Sequence, residues 1–376
     1  MNFDYSEEQQ ILAASVRRFV DEQYDFDTRK TIIASSEGYS AGVWSGLADI
    51  GLLGLPLPVE SGGFGGGAVD LFNVMEAFGH ALVVEPYLST ILCARLIARA
   101  GSTLQKEALL PPVAAGNLKL AFAQAERGAR YDLAHVTTRA RKDGNGYVLD
   151  GEKCVVLHGP CAARLLVSAR TSGAATDEAG ISLFLVDAHA AGMNQAAYGT
   201  IDSMVASDLV LRQVRVGGDA MLGDEGRAFP LILEATDFAI ALLCAEAVGA
   251  IKCANDTTLE YLKTRKQFGV PIGAFQALQH RMVDMVISGE QARSMASLAC
   301  AKVDTERDPA ERQRVISAAK IKLADACRHV AQESVQLHGG MGMTDEMKVS
   351  HVFRRLTMIA QQFGDADHHL ERFACL

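Results

Sequence analysis

Tyr261-Leu-Lys-Thr-Arg265-Lys-Gln-Phe268-Gly269, running on through Val-Pro-Ile-Gly-Ala-Phe to Gln276, sets an arginine, an aromatic ring and an amide around a glycine-bearing turn. A guanidinium pairs with phosphate oxygens, and an amide hydrogen-bonds a ribose or a phosphate. The plainer alternative is a solvated helix end whose Lys and Arg residues oppose the helix dipole. Further on, Gln336-Leu-His338-Gly339-Gly340-Met-Gly342 interrupts a helical pattern. The bare backbone of Gly339 and Gly340 would let a ligand come close.

Outward from these stretches, apolar residues recur at helical spacing from residue 229 onward, with Asp308-Pro-Ala as a helix restart and Gly339-Gly340 as a break before the last helices. Upstream the character changes. Residues 118–122, 134–141, 147–150, 154–157, 164–169 and 181–186 are short and rich in β-formers, with turns such as Asp143-Gly-Asn-Gly146 between them. They predict a small antiparallel barrel or sandwich. Earlier still, Ser6 before Glu7 and Glu8 predicts an N-cap and a first helix to about Gln23. Residues 43–116 alternate helical stretches with breaks at Ser61-Gly-Gly-Phe64-Gly-Gly-Gly67 and a stop at Pro111-Pro112. The glycine run lacks the strand-before, helix-after context and the lysine of a phosphate loop, which favours a plain helical domain there. The expected domains are helical over 1–117, β over 118–227 and helical over 228–376.

At 376 residues, 49% apolar and 22% charged, the chain is long enough for two or three ordered subdomains sharing a large core. Its net charge of -9 argues against a nucleic-acid partner. It does not exclude an anionic ligand held by local arginines. The eight cysteines form no Cys-x-x-Cys pair, which suits a reduced, cytoplasmic setting. The first eight residues lack the basic and apolar regions of a secretory signal, and no stretch reaches the roughly 18 apolar residues of a membrane span.

The two quoted stretches, with the Tyr5-Ser-Glu-Glu-Gln opening, Ile50-Gly-Leu-Leu-Gly-Leu55 and the helix, β, helix order, resemble the FAD-dependent acyl-CoA dehydrogenase family over essentially the whole chain. The resemblance implies an α+β fold with an N-terminal helical domain, a middle antiparallel β domain and a C-terminal four-helix bundle. It also implies an acyl-CoA substrate, FAD as cofactor and an electron-transferring flavoprotein as electron acceptor. In the family, positions matching Arg265, Phe268, Gln276, Gln336, Gly339 and Gly340 hold the pyrophosphate and adenosine part of FAD across a subunit interface. His338, inside the glycine-rich motif, is expected to make a backbone or cofactor hydrogen bond.

Other positions depart from the family. Where it usually writes Tyr-Glu-Gly-Thr, with the glutamate removing the substrate's α proton, this chain has Phe363-Gly364-Asp365-Ala366. Thioester α protons are too weakly acidic for an unaided carboxylate, so the family stabilises the developing enolate by hydrogen bonds to the carbonyl. Glycine supplies no base. Asp365 is a candidate for the role from one residue later, although its side chain is shorter and differently directed. Another family solution places the glutamate at the position of Ala239, and Glu246 stands two turns on, where a small residue is usual, inside an apolar helical run where an interhelix ion pair is the plainer role. The third possibility is a base supplied by a partner subunit. In the β domain, Ala125-Glu126-Arg127-Gly128-Ala129-Arg130-Tyr131-Asp132 stands for Thr-Glu-Pro-Gly-Ala-Gly-Ser-Asp, and Val155-Val156-Leu157-His158 for Trp-Ile-Thr-Asn. Leu157 thereby replaces a hydroxyl beside the flavin. Arg127 and Arg130 are candidates for coenzyme A phosphates, or simply solvated. His368 and His369, adjacent on a helix, match no common zinc spacing, so no metal is expected.

Contacts that reach a neighbour's flavin match the family, and those serving the chain's own site do not. That asymmetry is expected of a heteromer, α2β2, in which a second acyl-CoA dehydrogenase subunit carries the catalytic glutamate. The segments 363–370 and 60–67 are similar to those of pimeloyl-CoA dehydrogenase small subunits, and the arrangement to two-subunit enzymes for steroid side-chain thioesters. The expected activity is α,β-desaturation of a dicarboxylyl or bulky acyl-CoA. A homomeric dehydrogenase using Glu246 or Asp365, an oxidase, and a non-catalytic scaffold subunit are the alternatives.

Overall fold

The computed structural model describes residues 6–376, so Tyr5 of the opening motif and most of the segment read for a leader lie outside the described residues. In chain order the helices α1 (Glu7–Gln23), α2 (Phe26–Ile33), α3 (Ala41–Asp49), α4 (Ala68–Ala81), α5 (Tyr87–Ala100) and α6 (Thr103–Ala114) come first. The strands β1 (Leu120–Ala123), β2 (Arg139–Asp143), β3 (Gly146–Leu157), β4 (Arg164–Arg170), β5 (Ile181–Asp187), β6 (Met193–Gly199), β7 (Val205–Gly217) and β8 (Met221–Leu222) follow. The chain then returns to helix: α7 (Phe229–Thr264), the strands β9 (Lys266–Gln267) and β10 (Val270–Pro271), then α8 (Gln276–Thr305), α9 (Pro309–His338), α10 (Lys348–Gln361) and α11 (Ala366–Cys375). This is the expected α+β arrangement of N-terminal helices, a middle β domain and a C-terminal helical bundle.

Local signals explain most of these boundaries. Ser6 accepts from Gln9 N at 3.2 Å while Gln9 Oε1 takes Ser6 N at 3.0 Å, so a capping box starts α1. Asp308 caps α9, with Pro309 at its first position. Pro111 and Pro112 do not stop α6, contrary to expectation. They sit in its last turn, and the carbonyl of Pro111 still receives Ala115 N while that of Pro112 receives Asn117 N. Helix α4 does follow the glycine run. Its N-terminus faces its own chain, because Ala68 N donates to Asp304 Oδ2 at 2.5 Å and Gly67 N to Asp70 Oδ2 at 2.8 Å.

Packing gathers these elements into two compact units. Among the described residues, one comprises 6–31, 67–83 and 237–376, hence α1, α4, most of α7 and α8 to α11. Within it α4 crosses α7 at two glycines. A Cβ on Gly79 would lie 1.9 Å from the Glu246 carbonyl oxygen, and one on Gly249 would lie 1.8 Å from that of Glu76. Only glycine lets the two backbones come so near. Arg293 then binds Glu76 at 2.5 Å and lies over the Phe72 ring.

The other unit comprises residues 32–66 and 84–236, hence α3, α5, α6 and the sheet. Its strands run β6-β7-β3-β2-β4-β5-β8, with β1 beside β4. Pairing is antiparallel except for β1 with β4 and β2 with β4. The sequence pattern divides β3 at Gly151 and gives no sign of β6 or β7. Irregularities between Leu149 and Gly151 and between Lys153 and Val156 break the period of β3. Strand β6 is mostly exposed, so it has no apolar alternation to find. One buried arginine organises the loops: Arg170 donates to the carbonyls of Val136 (3.0 Å), Ala134 (2.8 Å), Ala175 (3.0 Å), Asp177 (2.9 Å) and Ala179 (3.0 Å).

Candidate cofactor cleft and base position

The end of α7, the β9–β10 hairpin, the start of α8 and the end of α9 enclose a cleft of about 300 Å³. Arg265, Gln336 and Gly339, all expected at a ligand, line it, together with Tyr261, Gln267, Arg281 and His338. Tyr261 lies in the last turn of α7, four residues before Arg265, whose backbone N donates to the Tyr261 carbonyl at 2.8 Å just past the helix end. Among the described residues, no side-chain hydrogen bond or ion pair engages Arg265 or Gln336, whereas Arg281 is tied to Glu333 at 2.6 Å. His338 donates from Nδ1 to the Ser334 carbonyl at 2.7 Å and stacks on Tyr261, centroids 4.4 Å apart. Its Nε2 is buried without a partner.

Phe268, Gln276 and Gly340 lie near the cleft in sequence but not among its lining residues. Phe268 and Gly269 both have positive φ, 56° and 84°, which closes the two-residue hairpin between Gln267 and Val270. The turn holds the Phe268 ring out at 89% exposure, edge-on to Phe275. Gln276 begins α8, and Gly340 lies in a short turn after α9. Gly339 requires its positive φ of 60°, and neither glycine would meet an atom within 4 Å if a Cβ were added. Along α8, Val283, Val286 and Ile287 form an exposed apolar row at helical spacing.

The turn between α10 and α11 presents the opposite situation. Phe363 and Gly364 have φ of 55° and 121°. A Cβ at Gly364 would come within 2.5 Å of His368 Cδ2 and 2.6 Å of His369 Nε2. The latter ring is fully buried and bonded at both nitrogens, Nε2 to the Phe363 carbonyl at 3.1 Å and Nδ1 to Ser317 Oγ at 3.3 Å. Burial, then the charge of Lys320, lowers its pKa to about 3, so it is neutral and donates from Nε2. Lys320 is buried too; its ammonium, pushed down to about 8 by burial, donates to the Ile359 carbonyl near the end of α10. Imidazole rings thus fill the space beside Gly364, where the resemblance led to the expectation of a carboxylate. The sequence had a signal here, since Lys320 falls on the apolar face set by Ile316, Leu323 and Cys327.

Both acids weighed as bases are engaged. Glu246, 5% exposed, forms a two-pronged pair with Arg355, Oε1 to Nε at 2.6 Å and Oε2 to Nη2 at 2.8 Å. Arg355 Nη1 continues to Gln362 Oε1 at 3.3 Å, next to the turn. Asp365 caps α11, accepting His368 N at 2.9 Å.

In the sheet unit, Glu126 survives from the family motif as a structural anion. It accepts Lys153 Nζ at 2.7 Å, Thr137 N at 2.6 Å and Thr138 N at 3.0 Å, and also the Thr137 hydroxyl. Burial alone would raise its pKa, but Lys153 and these donors outweigh that and hold it at about 2. Arg127 pairs with Asp208 at 2.5 Å, and the same aspartate holds Val155 N at 3.1 Å and Tyr198 OH at 2.9 Å. Arg130 is exposed at φ 49°. Leu157 ends β3, and His158 beyond it is buried between Ser89 Oγ at 2.8 Å and the Val84 carbonyl at 3.0 Å. The described residues contain no cluster suited to a metal ion and no helix long and apolar enough to cross a membrane.

With this geometry in view, comparison with known proteins gives a consistent result. The description "Acyl-CoA dehydrogenase, N-terminal domain" matches residues 6–117, the middle domain 121–214 and the C-terminal domain 226–374. The chain belongs to the acyl-CoA dehydrogenase family, whose members are oxidoreductases. Acyl-CoA dehydrogenase FadE12 of Mycobacterium tuberculosis is 31% identical over 96% of this chain and 93% of its own length. The caffeyl-CoA reductase-Etf complex subunit CarC of Acetobacterium woodii is 28% identical over 93% of each chain. Among solved structures, a variant of the Tcur3481-Tcur3483 steroid ACAD superposes with a TM-score of 0.87 at 31% identity, covering 98% of this chain and 97% of that one. The ChsE4-ChsE5 complex from Mycobacterium tuberculosis does so with 0.90 at 26%, covering 100% and 98%.

Proposed function

We propose that this chain is one subunit of an FAD-dependent acyl-CoA dehydrogenase and that a second, related subunit supplies the catalytic carboxylate. The observation that carries the reading is the filled base position: at Gly364 the space of a side chain is taken by His368 and the doubly bonded His369. Glu246 is neutralised by Arg355 and Asp365 caps a helix, so neither is poised to take an α proton. The alternative of a homomeric enzyme using either acid is correspondingly disfavoured.

The cleft suits the phosphate-bearing half of FAD. Among the described residues the side chains of Arg265 and Gln336 have no internal partner, Gly339 and Gly340 leave the backbone open, and His338 keeps one nitrogen unsatisfied. Arg265 would face the pyrophosphate, with Gln336 and Gln276 as amide donors and Phe268 reaching outward from its hairpin. FAD bound there would supply a hydride acceptor for the substrate's β carbon. The exposed row on α8 fits a subunit contact, as the α2β2 assembly requires.

For the substrate, likeness to a steroid ACAD supports a bulky acyl-CoA, with a dicarboxylyl thioester as the second choice. Arg127 is occupied by Asp208, which leaves Arg130 as the exposed candidate for a coenzyme A phosphate. Likeness to an Etf-complex subunit supports an electron-transferring flavoprotein as acceptor, and a cytoplasmic location accords with both.

The test is co-expression with a neighbouring acyl-CoA dehydrogenase gene. A yellow heteromer that oxidises acyl-CoA, with activity lost when the partner's base is removed, is the expected result. Purification of this chain alone as an active homo-oligomer with one FAD per protomer would overturn the reading. A colourless complex would favour the scaffold alternative.

A further inference from the structure

His338 ends α9 at the cleft, and its hydrogen bonding is half complete. The Ser334 carbonyl can only accept, so the ring proton is on Nδ1. Burial lowers the imidazole below its ordinary pKa against a smaller opposing effect of that hydrogen bond, so the ring is neutral at pH 7. Nε2 is then a lone-pair acceptor. It is sealed from solvent in a residue 3% exposed, and no donor reaches it. An unsatisfied buried acceptor loses its hydration with nothing in return, so it calls for an explanation.

The cleft around it offers cationic and amide donors through Arg265 and Gln336, which suit phosphate oxygens. An ionised phosphate has no hydrogen to give Nε2. The adenosine half of a dinucleotide has both hydroxyl and amino hydrogens. Tyr261, a half-buried ring, stacks on the face of the imidazole at 27° and leaves the ring plane, where the Nε2 lone pair points, uncovered by the stack.

We propose that His338 is a positioning residue of this cleft, its Nε2 accepting a hydrogen bond from an O–H or N–H of the adenosine half of bound FAD. This rests on the FAD reading above and adds to it the residue that fixes the orientation of the nucleoside.

The experiment measures dissociation constants for FAD and FMN in the assembled, flavin-stripped complex carrying wild-type His338, His338→Phe or His338→Gln. The Phe variant keeps the ring stack without an acceptor, and the Gln variant restores one. The expected result is FAD binding weakened about tenfold or more by His338→Phe, largely rescued by His338→Gln, with FMN binding unchanged in both. With flavin hypoxanthine dinucleotide, a penalty that disappears identifies the amino group as donor, and one that persists identifies a ribose hydroxyl. FAD binding unaffected by His338→Phe, or FMN weakened equally, overturns the proposal. Should His338→Phe fail to assemble, His338→Leu, which also lacks an acceptor, is measured by the same criteria. A wild-type complex that binds no FAD sinks the functional reading itself, which is a distinct outcome.

Discussion

Within one packed unit, the cleft at the end of α9 and the turn after α10 have opposite patterns of hydrogen bonding. In the cleft, the side chains of Arg265 and Gln336 and the Nε2 of His338 have no internal partner among the described residues. At the turn, Arg355 holds Glu246 and Gln362, His369 joins Ser317 to the Phe363 carbonyl, and Lys320 holds the carbonyl of Ile359. Uncommitted polar groups await something from outside, whereas a satisfied buried network rigidifies its own fold. On the proposed reading, the first is kept for a ligand and the second is structural. Gly364, where the resemblance led to the expectation of a base, has His368 and His369 in the space a side chain would need.

The largest effect should come from forcing a base back into the turn. Gly364→Glu must place a Cβ 2.5–2.6 Å from two imidazoles at a φ of 121°, and a cost above about 4 kcal/mol is expected from strain and overpacking together. Thermal unfolding should fall by many degrees with no base-dependent turnover gained. A stable, active Gly364→Glu chain would show that the turn is still an open catalytic position.

Next comes the buried ion pair. Arg355→Met strands the Glu246 carboxylate and should destabilise by about 3 kcal/mol, read from denaturant midpoints at constant m. Glu246→Gln keeps the shape and should cost less, about 2 kcal/mol. In the FAD-loaded complex it should leave kcat and its pH profile unchanged. Abolished turnover with flavin content intact would instead make Glu246 the base.

How much of this is legible in the sequence depends on the kind of signal. The capped helices, Ser6 at α1 and Asp308-Pro309 at α9, are readable because caps are local. So are the short apolar strands β4 and β5, whereas the exposed β6 leaves no pattern. Arg265, Gln336 and Gly339 are legible through resemblance, and the structure brings those three to one cleft while Phe268, Gln276 and Gly340 fall outside its walls. What the sequence does not disclose are partnerships between distant positions. Asp208 claiming Arg127, Arg355 claiming Glu246, and His369 filling the space at Gly364 are decided by the fold alone.

A smaller, pH-dependent effect extends the comparison to the sheet unit, where Glu126 is bonded as fully as the groups of the turn. Its folded pKa of about 2 lies below the ordinary 4.5. A carboxylate depressed by folding stabilises above its unfolded pKa and loses that contribution as pH falls through the folded one. Stability should therefore decline between about pH 4.5 and pH 2 as far as this group is concerned. Glu126→Gln should flatten that part of the profile in chemical denaturation across pH. An unaltered acid limb would assign the loss to other carboxylates.

The smallest effect on stability should come from the cleft, where the comparison is most exposed to refutation. Arg265 is solvent-exposed, and its side chain makes no internal polar contact among the described residues. Arg265→Met should thus leave the folded chain within about 0.5 kcal/mol of wild type. A guanidinium on a pyrophosphate is a charge-assisted contact worth about 1.5–3 kcal/mol, so FAD release from the assembled complex should be faster by roughly tenfold or more. The two readouts must separate: unchanged unfolding beside lost flavin marks a residue reserved for a ligand. If both move together, or neither does, Arg265 belongs with the structural residues of the turn, and the division of this unit into an open and a closed site fails.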